Sequence, residues 1–384
     1  MKIARYSSAN GEPRFGLVVK ERVLPFSALA RAAGTGIGRL SSVDAYIDGL
    51  PGSEDEARRL REFALARGGE RFESAPLAEI RLLPPLDPPA MLDFGLSPRH
   101  LENSSRTLLR RGFGAPLAAV IGPFVRSRIR KMAASNALPY YKCNHLAIIG
   151  DGDETGWPSY SSYIDIEPEL AFVAGPHEYP IAGYLIFNDV SARDVQMPEM
   201  TGTGPARSKD FARSKGLGPF LVTPDEVVDP LALGVSVRVG EYIPASSREI
   251  TNSREFADSR ERAGTRERAD ARERADARER ADARDRLVWS GTTAEYSRHP
   301  TEVVSYLRTI FAPAPGTVIG MGTIPGCTGL DNDEWLLPGD AVEIEFEALG
   351  ILRQRLPARI GPLEPSPWGE REELEGWYGA KARR

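Results

Sequence analysis

The sequence predicts a β-rich α+β protein. Two observations agree with this, and neither selects a topology. The strongest apolar runs are short and bounded by glycine, proline or acidic residues, and several alternate with a period of two, as in Val235/Val237/Val239 and Ala341–Glu347. Few stretches sustain a helical period. With 384 residues and 41% apolar content, the chain can build a sizeable core, as two units or as one large unit with additions. The net charge of −5 is spread over many charges of both signs, which gives no case for a nucleic-acid partner. Two cysteines, Cys143 and Cys327, exclude a disulfide framework and suit a reducing cytosol, so a cytoplasmic protein is expected. Met1–Tyr6 contains no apolar signal region, and no run of about eighteen apolar residues exists, so no membrane span is expected.

Taken in order, Lys2–Tyr6 and Arg14–Lys20 read as strands joined by the turn Asn10–Pro13. Ser27–Ala33 and Ser42–Leu50 read as helices. Ser53–Arg67 is a stronger helix, with Ser53 as its expected N-cap and acidic residues in its first turn. Ala78–Leu83 is too short for a helix and reads as a strand entering Pro84. Prolines 84, 85, 88 and 89 mark a boundary, dividing the chain into units 1–85 and 86–360 with a tail, 361–384. Leu92–Phe94 closes a strand. Ser97 then caps a helix with Pro98 at its first position, which puts His100 in the first turn. Residues 104–138, rich in arginine, read as a mobile or helical cover. Leu146–Gly150, Leu217–Thr223 and Leu233–Val239 are strands. Thr201–Pro205 is a glycine-rich turn without the spacing of a phosphate loop.

Residues 243–286 break the pattern. Arg-Glu-Arg-Ala-Asp-Ala recurs in tandem from Arg266 through Ala283. A period of six builds no stripe on a helix, and nothing larger than alanine recurs to be buried. The expectation is an exposed low-complexity insertion, partly helical or disordered, in a strand-to-strand connection where extra length is cheap. The chain resumes with a strand at Leu287, a helix at His299–Leu307 and a strand at Pro315–Thr323. In Ala341–Glu347, Glu343, Glu345 and Glu347 share a face expected to meet solvent. The tail, with Trp368 and Trp377, is expected to pack loosely or stay mobile.

The chemistry concentrates in Tyr163–Gly175 and Gly183–Asp194. Glu167 and Glu169 lie two apart in a strand-like run, on one face. Carboxylates forced together repel unless a proton or cation lies between them. If the two runs pair through the turn around Pro176–Pro180, Asp189 joins the glutamates. Three hard oxygen donors without Cys or His favour Mg²⁺, Mn²⁺ or Ca²⁺ over Zn²⁺.

At these residues the chain resembles the fumarylacetoacetate hydrolase family. The shared motifs are Glu167-Ile-Glu169, Phe187-Asn-Asp-Val-Ser-Ala-Arg-Asp194, Lys209-Asp-Phe211, Leu217–Glu226 and Gly322-Thr-Ile-Pro-Gly326, in order over residues 92–354. The resemblance implies a small N-terminal β/α domain and a mixed β-sheet roll around a metal site, usually in a homodimer. It implies Glu167, Glu169 and Asp189 as metal ligands with Asp93 as a fourth, and Mg²⁺ first among the candidate ions. It further implies His100, seven residues after Asp93, as catalytic base, Lys209 as a fixed cation, and Tyr140 or Tyr141, with Tyr140 taken first, as a substrate contact. Thr323, with the amides around Gly322, would receive a substrate carboxylate, and Gln196 would contact substrate. Arg193 would bind substrate, orient the ligands, or pair with Asp194 or a glutamate.

The implied reaction is cleavage of a carbon–carbon bond in a 1,3-dicarbonyl acid, with a cation holding two carbonyl oxygens and stabilising the departing enolate. One departure stands out. The family's histidine pairs with a glutamate, but Asn103 stands three residues after His100, and Glu102, Glu334, Asp331 and Asp333 are the remaining candidates. Decarboxylase, hydratase or isomerase chemistry on a 2-oxo acid is therefore the alternative, and a catalytically weak scaffold paralogue is another.

Overall fold

A computed structural model of the protein describes residues 1–7, 11–68, 72–202, 204–241 and 285–377. Asn10, and the insertion expected at 243–286 apart from its last two residues, lie outside the described residues.

The N-terminal part runs through strands β1 (Lys2–Ser7), β2 (Pro13–Val19) and β3 (Arg22–Pro25), then helices α1 (Phe26–Ala33), α2 (Val43–Asp48) and α3 (Gly52–Ala66), then β4 (Ala75–Pro76) and β5 (Arg81–Leu82). The helix expected at Ser42–Leu50 forms over Val43–Asp48, with Ser42 as its cap. Ser53 does not cap α3. That helix starts one residue earlier, behind Pro51, and the buried Ser53 hydroxyl donates to the Tyr46 carbonyl at 2.5 Å. Ala78–Leu83 supplies only the two residues of β5, preceded by a single 3₁₀ turn.

Next come β6 (Met91–Phe94), α4 (Pro98–Phe113), α5 (Ala115–Ala133), β7 (Tyr140–Cys143) and β8 (Ile148–Ile149). The arginine-rich cover is thus two helices. The centre of the chain supplies β9 (Ile164–Asp165), β10 (Pro168–Ala174), β11 (Ile181–Asp189), β12 (Ser191–Ala192), α6 (Arg193–Thr201) and β13 (Lys215–Val222). The remainder supplies β14 (Gly234–Glu241), β15 (Asp285–Thr292), α7 (Pro300–Arg308), β16 (Val318–Thr323), α8 (Gly329–Asn332), β17 (Asp340–Phe346) and β18 (Gly350–Arg355).

Among the described residues, twelve strands form one mixed sheet, along the order β4-β3-β2-β1-β13-β11-β10-β16-β6-β7, with β5 on β1 and β8 on β13. The N-terminal strands therefore continue the large sheet through the antiparallel pair β1–β13. Four more strands, β15-β14-β17-β18, form a second sheet. One core lies between the sheets, joining Leu170, Phe172, Tyr184 and Ile186 to Val235, Val237, Ile344 and Leu352. The opposite face of the large sheet is covered by α1–α3, which bury Phe26, Tyr46 and Leu60 against Ala171, Leu185 and Leu221. Covering on both faces explains why β10 and β11 read as unbroken apolar runs rather than alternating ones. Glu343 and Glu345 do take the outer side of β17, half-buried, with Arg353 from β18 against Glu343 at 3.2 Å. Glu241 and Asp285 end and begin adjacent antiparallel strands, so the insertion lies between paired partners.

The tail is not loose where it is described. Trp368 packs against Tyr163 and Trp335, and Leu374 is fully buried. The buried Arg371 guanidinium donates to the carbonyls of Ser162 and Leu336, at 3.0 Å each.

Candidate active site

Strand register builds the site. β10 and β11 pair antiparallel with Glu169 opposite Phe187, β11 and β13 with Asp189 opposite Lys215, and β10 and β16 with Glu169 opposite Thr323. β6 runs parallel to β16, with Asp93 opposite Gly320. The start of β10, the end of β11, the start of β13 and the end of β16 therefore meet at one end of the sheet. Side-chain alternation sends Asp93, Glu169, Asp189 and Lys215 to the same face as Met91, Ala171, Phe187 and Leu217. Gly320 keeps that face open: a Cβ there would sit 2.7 Å from Glu169 Oε2 and 3.2 Å from Asp93 Oδ1.

Charges interlock at this end. Arg193, fully buried at the start of α6, donates from Nε to Asp165 Oδ2 at 2.9 Å and from Nη1 to Glu167 Oε1 and to Gln196 Oε1, the last at 3.0 Å. Its partner is thus Asp165 and Glu167, not Asp194, which instead accepts from the Ser161 hydroxyl and the Ser162 amide. Lys209 Nζ bridges Glu167 Oε2 and Asp189 Oδ2, the latter at 2.8 Å. Glu169 accepts from the Gly322 amide at 3.0 Å and from the Thr323 hydroxyl at 3.3 Å. These two donors, expected to face a substrate carboxylate, here hold Glu169.

Lys215 was not legible as a site residue, yet it is fully buried and bonds Asp189 Oδ1, the Tyr141 hydroxyl at 3.1 Å and the Lys209 carbonyl at 2.6 Å. The available signal was a lysine opening the otherwise apolar run Lys215–Val222. Tyr141 donates to Asp189 Oδ2 at 2.7 Å. Tyr140 points to the other face of β7, where its ring lies 5.0 Å from that of Phe94, so the structure brings Tyr141 and not Tyr140 to the acids.

His100 projects from the first turn of α4 toward the same centre. Its Nε2 lies 3.8 Å from Glu167 Oε1, and its Nδ1 lies 3.0 Å from Asp331 Oδ1. The ring is not turned into line for a hydrogen bond, but both atoms are buried without another partner, so each is the other's counterpart. Asp331 Oδ2 accepts from the Gly326 amide at 2.8 Å and from Asn103 Nδ2 at 3.4 Å. The other candidates are engaged elsewhere: Glu102 with Arg130, Asp333 with Arg110 and Arg111, and Glu334 with the Trp289 indole.

The electrostatics are uneven. Burial, and then Asp189, raise the Asp93 carboxyl to about 7, with Lys209 opposing. Burial and the neighbouring Asp93, Asp189 and Glu167 push Glu169 far above the carboxylate range. Burial would also raise Glu167, but Arg193 and Lys209 reverse it and hold that carboxyl well below its usual value. Burial works to lower Lys209, and Asp189 and Glu167 more than offset it, so the ammonium is kept charged.

Among the described residues, no three His, Cys, Asp or Glu side chains stand around a common point as metal ligands; the Lys209 ammonium lies between Glu167 and Asp189. The donor set nevertheless fits a hard divalent cation. It is all oxygen. Asp93 Oδ1 is buried with no hydrogen-bond partner. Five carboxyls, of Asp93, Asp165, Glu167, Glu169 and Asp189, face three cations, Arg193, Lys209 and Lys215, and the two without a cation, Asp93 and Glu169, are pushed toward holding a proton that a divalent ion would replace.

The chain belongs to the fumarylacetoacetate (FAA) hydrolase family, whose C-terminal domain matches residues 125–357. Residues 1–85 match the family described as Rv2993c-like, N-terminal. Oxaloacetate tautomerase FAHD2A, mitochondrial, of Homo sapiens is 30% identical over 216 residues, 54% of this chain and 54% of that one, so the present chain spans about half that relative's length. Two solved structures share the fold. Maleylpyruvate hydrolase from Sphingobium sp. SYK-6, in complex with manganese(II) ion and pyruvate, aligns with a TM-score of 0.56 at 15% identity, over 93% of this chain and 99% of that one. 2-Keto-3-deoxy-D-arabinonate dehydratase, complexed with magnesium and 2,5-dioxopentanoate, aligns with a TM-score of 0.53 at 21% identity over the same shares, 93% and 99%. At these identities the structural likeness speaks for the fold. No helix among the described residues is long and apolar enough to cross a membrane.

Proposed function

We propose that the protein is a divalent-metal-dependent hydrolase that cleaves a carbon–carbon bond in a 1,3-dicarbonyl acid of the acylpyruvate or fumarylacetoacetate type. The observation that carries this reading is the His100–Asp331 pair, 3.0 Å apart, with the far nitrogen of the imidazole 3.8 Å from Glu167. Asp331 is the carboxylate within reach of Nδ1, and a small turn of the ring would bring the two into a hydrogen bond that orients the imidazole as a base. Asp93, Glu167, Glu169 and Asp189 would hold the ion, Mg²⁺ or Mn²⁺ before Ca²⁺, which when bound polarises carbonyl oxygens as a Lewis acid. Solved relatives crystallised with manganese and pyruvate or with magnesium and a dioxo acid support that choice.

The chain's own residues do the rest. Asp331 steadies the imidazole at Nδ1, leaving Nε2 to take a proton from water. The hydroxide so formed adds to the carbonyl carbon of the acyl side. The carbon–carbon bond breaks with its electron pair passing to the pyruvate side, and that carbon recovers a proton from Nε2. The Lys209 ammonium lies beside the negative charge that develops. Lys215 and Tyr141 fix Asp189, and Arg193 fixes Glu167, so the acids keep their places through the cycle. Arg193 Nη2, buried and unpartnered, and Gln196 are the groups left to meet substrate, with Thr323 once Glu169 turns toward an ion.

A second reading is 2-oxo acid tautomerisation or dehydration by proton transfer alone, favoured by the 30% identity to the human tautomerase. The proposal extends to a cytoplasmic homodimer with an N-terminal unit 1–85 and a catalytic unit 86–360. The deciding experiment compares acylpyruvate hydrolysis with oxaloacetate tautomerisation, in Mg²⁺ or Mn²⁺, alongside thermal melting. Hydrolysis and a metal-induced rise in Tm, both lost in Glu169→Ala, support the hydrolase. No shift at millimolar metal, or turnover that survives Glu169→Ala, overturns it.

A further inference from the structure

Helix α4 carries more than His100 on its inner face. His100, Ser104, Thr107 and Arg111 follow one another at intervals of three and four residues, so they form one stripe. The first meets Asp331 and the last meets Asp333, two residues further along, which caps α8 in a left-handed conformation. Arg111 grips Asp333 Oδ1 from both Nε, at 3.0 Å, and Nη2, at 2.7 Å, and Arg110 adds a bond at 2.5 Å to Oδ2. The helix with the imidazole and the turn with its acid are therefore tied to each other directly.

Aromatic rings flank the tie on its inner side, leaving Arg111 and Asp333 partly exposed. The Arg111 guanidinium lies 5.3 Å from the ring centre of Tyr163, 5.4 Å from that of Trp335 and 5.9 Å from that of Trp368. The three rings meet edge to face at 5.0–5.6 Å. Tyr163 is held from its other side by Arg371, 5.3 Å away, and its carbonyl accepts the Arg193 amide at 2.8 Å. One end of this box is thus the acid cluster, and the other is the C-terminal segment.

We propose that Arg111 and Trp368 are positioning residues for the His100–Asp331 pair, and that the C-terminal segment is the brace that holds α4 against α8. The proposal rests on His100 acting as base for its kinetic consequence, but not for its structural one. A guanidinium lying over rings and donating from two nitrogens to one carboxylate oxygen is a fixed anchor, which lysine cannot reproduce. Loss of the Trp368 ring opens one wall of the box and frees the helix end that carries Arg111.

The test uses the full chain in four variants: Trp368→Ala, Trp368→Phe, Arg111→Ala and Arg111→Lys. Diethyl pyrocarbonate modification of His100 is followed by peptide mass spectrometry, with iodoacetamide labelling of the buried Cys143 as a control for general loosening. We expect His100 to react at least about fivefold faster in Trp368→Ala and in both Arg111 variants, with Cys143 still protected and Trp368→Phe close to wild type. On whichever substrate turns over, kcat falls about tenfold in Trp368→Ala while KM stays within about twofold. His100 modification within about twofold of wild type in Trp368→Ala and Arg111→Ala overturns the proposal. So does parallel exposure of Cys143. If no substrate is turned over by the wild type, the hydrolase reading falls, and the labelling still decides the brace.

Discussion

Replacing Asp331 with asparagine is the sharpest test of the base assignment, because the structure dictates which way the new amide must turn. Asp331 Oδ2 accepts from the Gly326 amide at 2.8 Å and from Asn103 Nδ2 at 3.4 Å, and both are donors. The amide oxygen of the variant must therefore take that place. Its NH₂ then occupies the position of Oδ1, 3.0 Å from His100 Nδ1. An NH₂ there donates, so Nδ1 becomes the acceptor and the ring proton moves to Nε2. That nitrogen can no longer take a proton from water. General-base catalysis contributes about 10²–10⁴-fold, so kcat should fall by that factor, about 2.7–5.5 kcal/mol of activation free energy. The side chain is isosteric and keeps its contacts to Gly326 and Asn103, so the variant should melt within a few degrees of wild type. The assay is steady-state hydrolysis of an acylpyruvate in Mn²⁺, with the melting curve as the folding control. A folded Asp331→Asn enzyme whose kcat lies within about threefold of wild type would refute the reasoning.

Other expectations follow from the same geometry. Gly320→Ala places a methyl 2.7 Å from Glu169 Oε2 and 3.0 Å from the Phe187 ring; it should abolish the metal-induced rise in Tm and cost about 1–3 kcal/mol of metal-free stability through overpacking. Lys215→Met strips a fully buried ammonium from Asp189 and should cost on the order of 3–5 kcal/mol in urea unfolding, as expected for removing one partner of a buried ion pair. Stripping bound metal with a chelator should lower stability by about 2.7 kcal/mol relative to protein in metal at a hundred times its Kd. Asp151 is raised to about 6, by burial first, with Arg353 opposing. A carboxyl raised in the folded state contributes stability below its unfolded pKa and loses it as pH rises through about 6. Asp151→Asn should therefore gain on wild type between pH 4 and pH 8 by on the order of 1–3 kcal/mol, read from urea curves at the two pH values.

Much of this architecture was legible in the chain because its signals are local. The β10–β11 hairpin shows as two apolar runs around Pro176–Pro180, and its register follows once Glu169 and Asp189 are required to meet. The capping of α7 by His299, with Glu302 reaching back, completes the helix expected at His299–Leu307. What stayed hidden depends on contacts between distant segments. Tyr140 and Tyr141 are chemically alike and adjacent, so only the pairing of β7 with β6 decides which meets Asp189. Asp331, Asp333 and Glu334 lie within four residues of one another, and the short helix α8 turns each toward a different partner. The tail looked loose because its proline and charge content hides that Trp368, Arg371 and Leu374 are all docked. Ser53 read as a cap because the rule for N-caps recognises residue type, whereas the helix starts before it, at Gly52 behind Pro51, and the Ser53 hydroxyl donates to the Tyr46 carbonyl.

The placement of cations explains how this end of the sheet tolerates its acids. Each paired acid is held by a group from the neighbouring strand or the following helix: Asp189 by Lys215 directly across the β11–β13 pair, Glu167 and Asp165 by Arg193 at the start of α6. Lys209 then spans Glu167 and Asp189. Asp93 and Glu169 receive no cation of their own; burial and then Asp189 raise Asp93, and burial and then Asp93 and Asp189 raise Glu169, whereas burial raises Asp165 against the opposing Arg193. A chain that merely needed a stable sheet end would have neutral residues there, since replacing a buried charge cluster by apolar side chains is commonly neutral or stabilising. Asp93 and Glu169 instead carry the proton that burial and their neighbours force on them, and a divalent ion arriving from outside would take that proton's place. That is the physical reason for expecting Gly320→Ala and Glu169→Ala to fail together, the first by crowding the place of the missing charge and the second by removing its ligand.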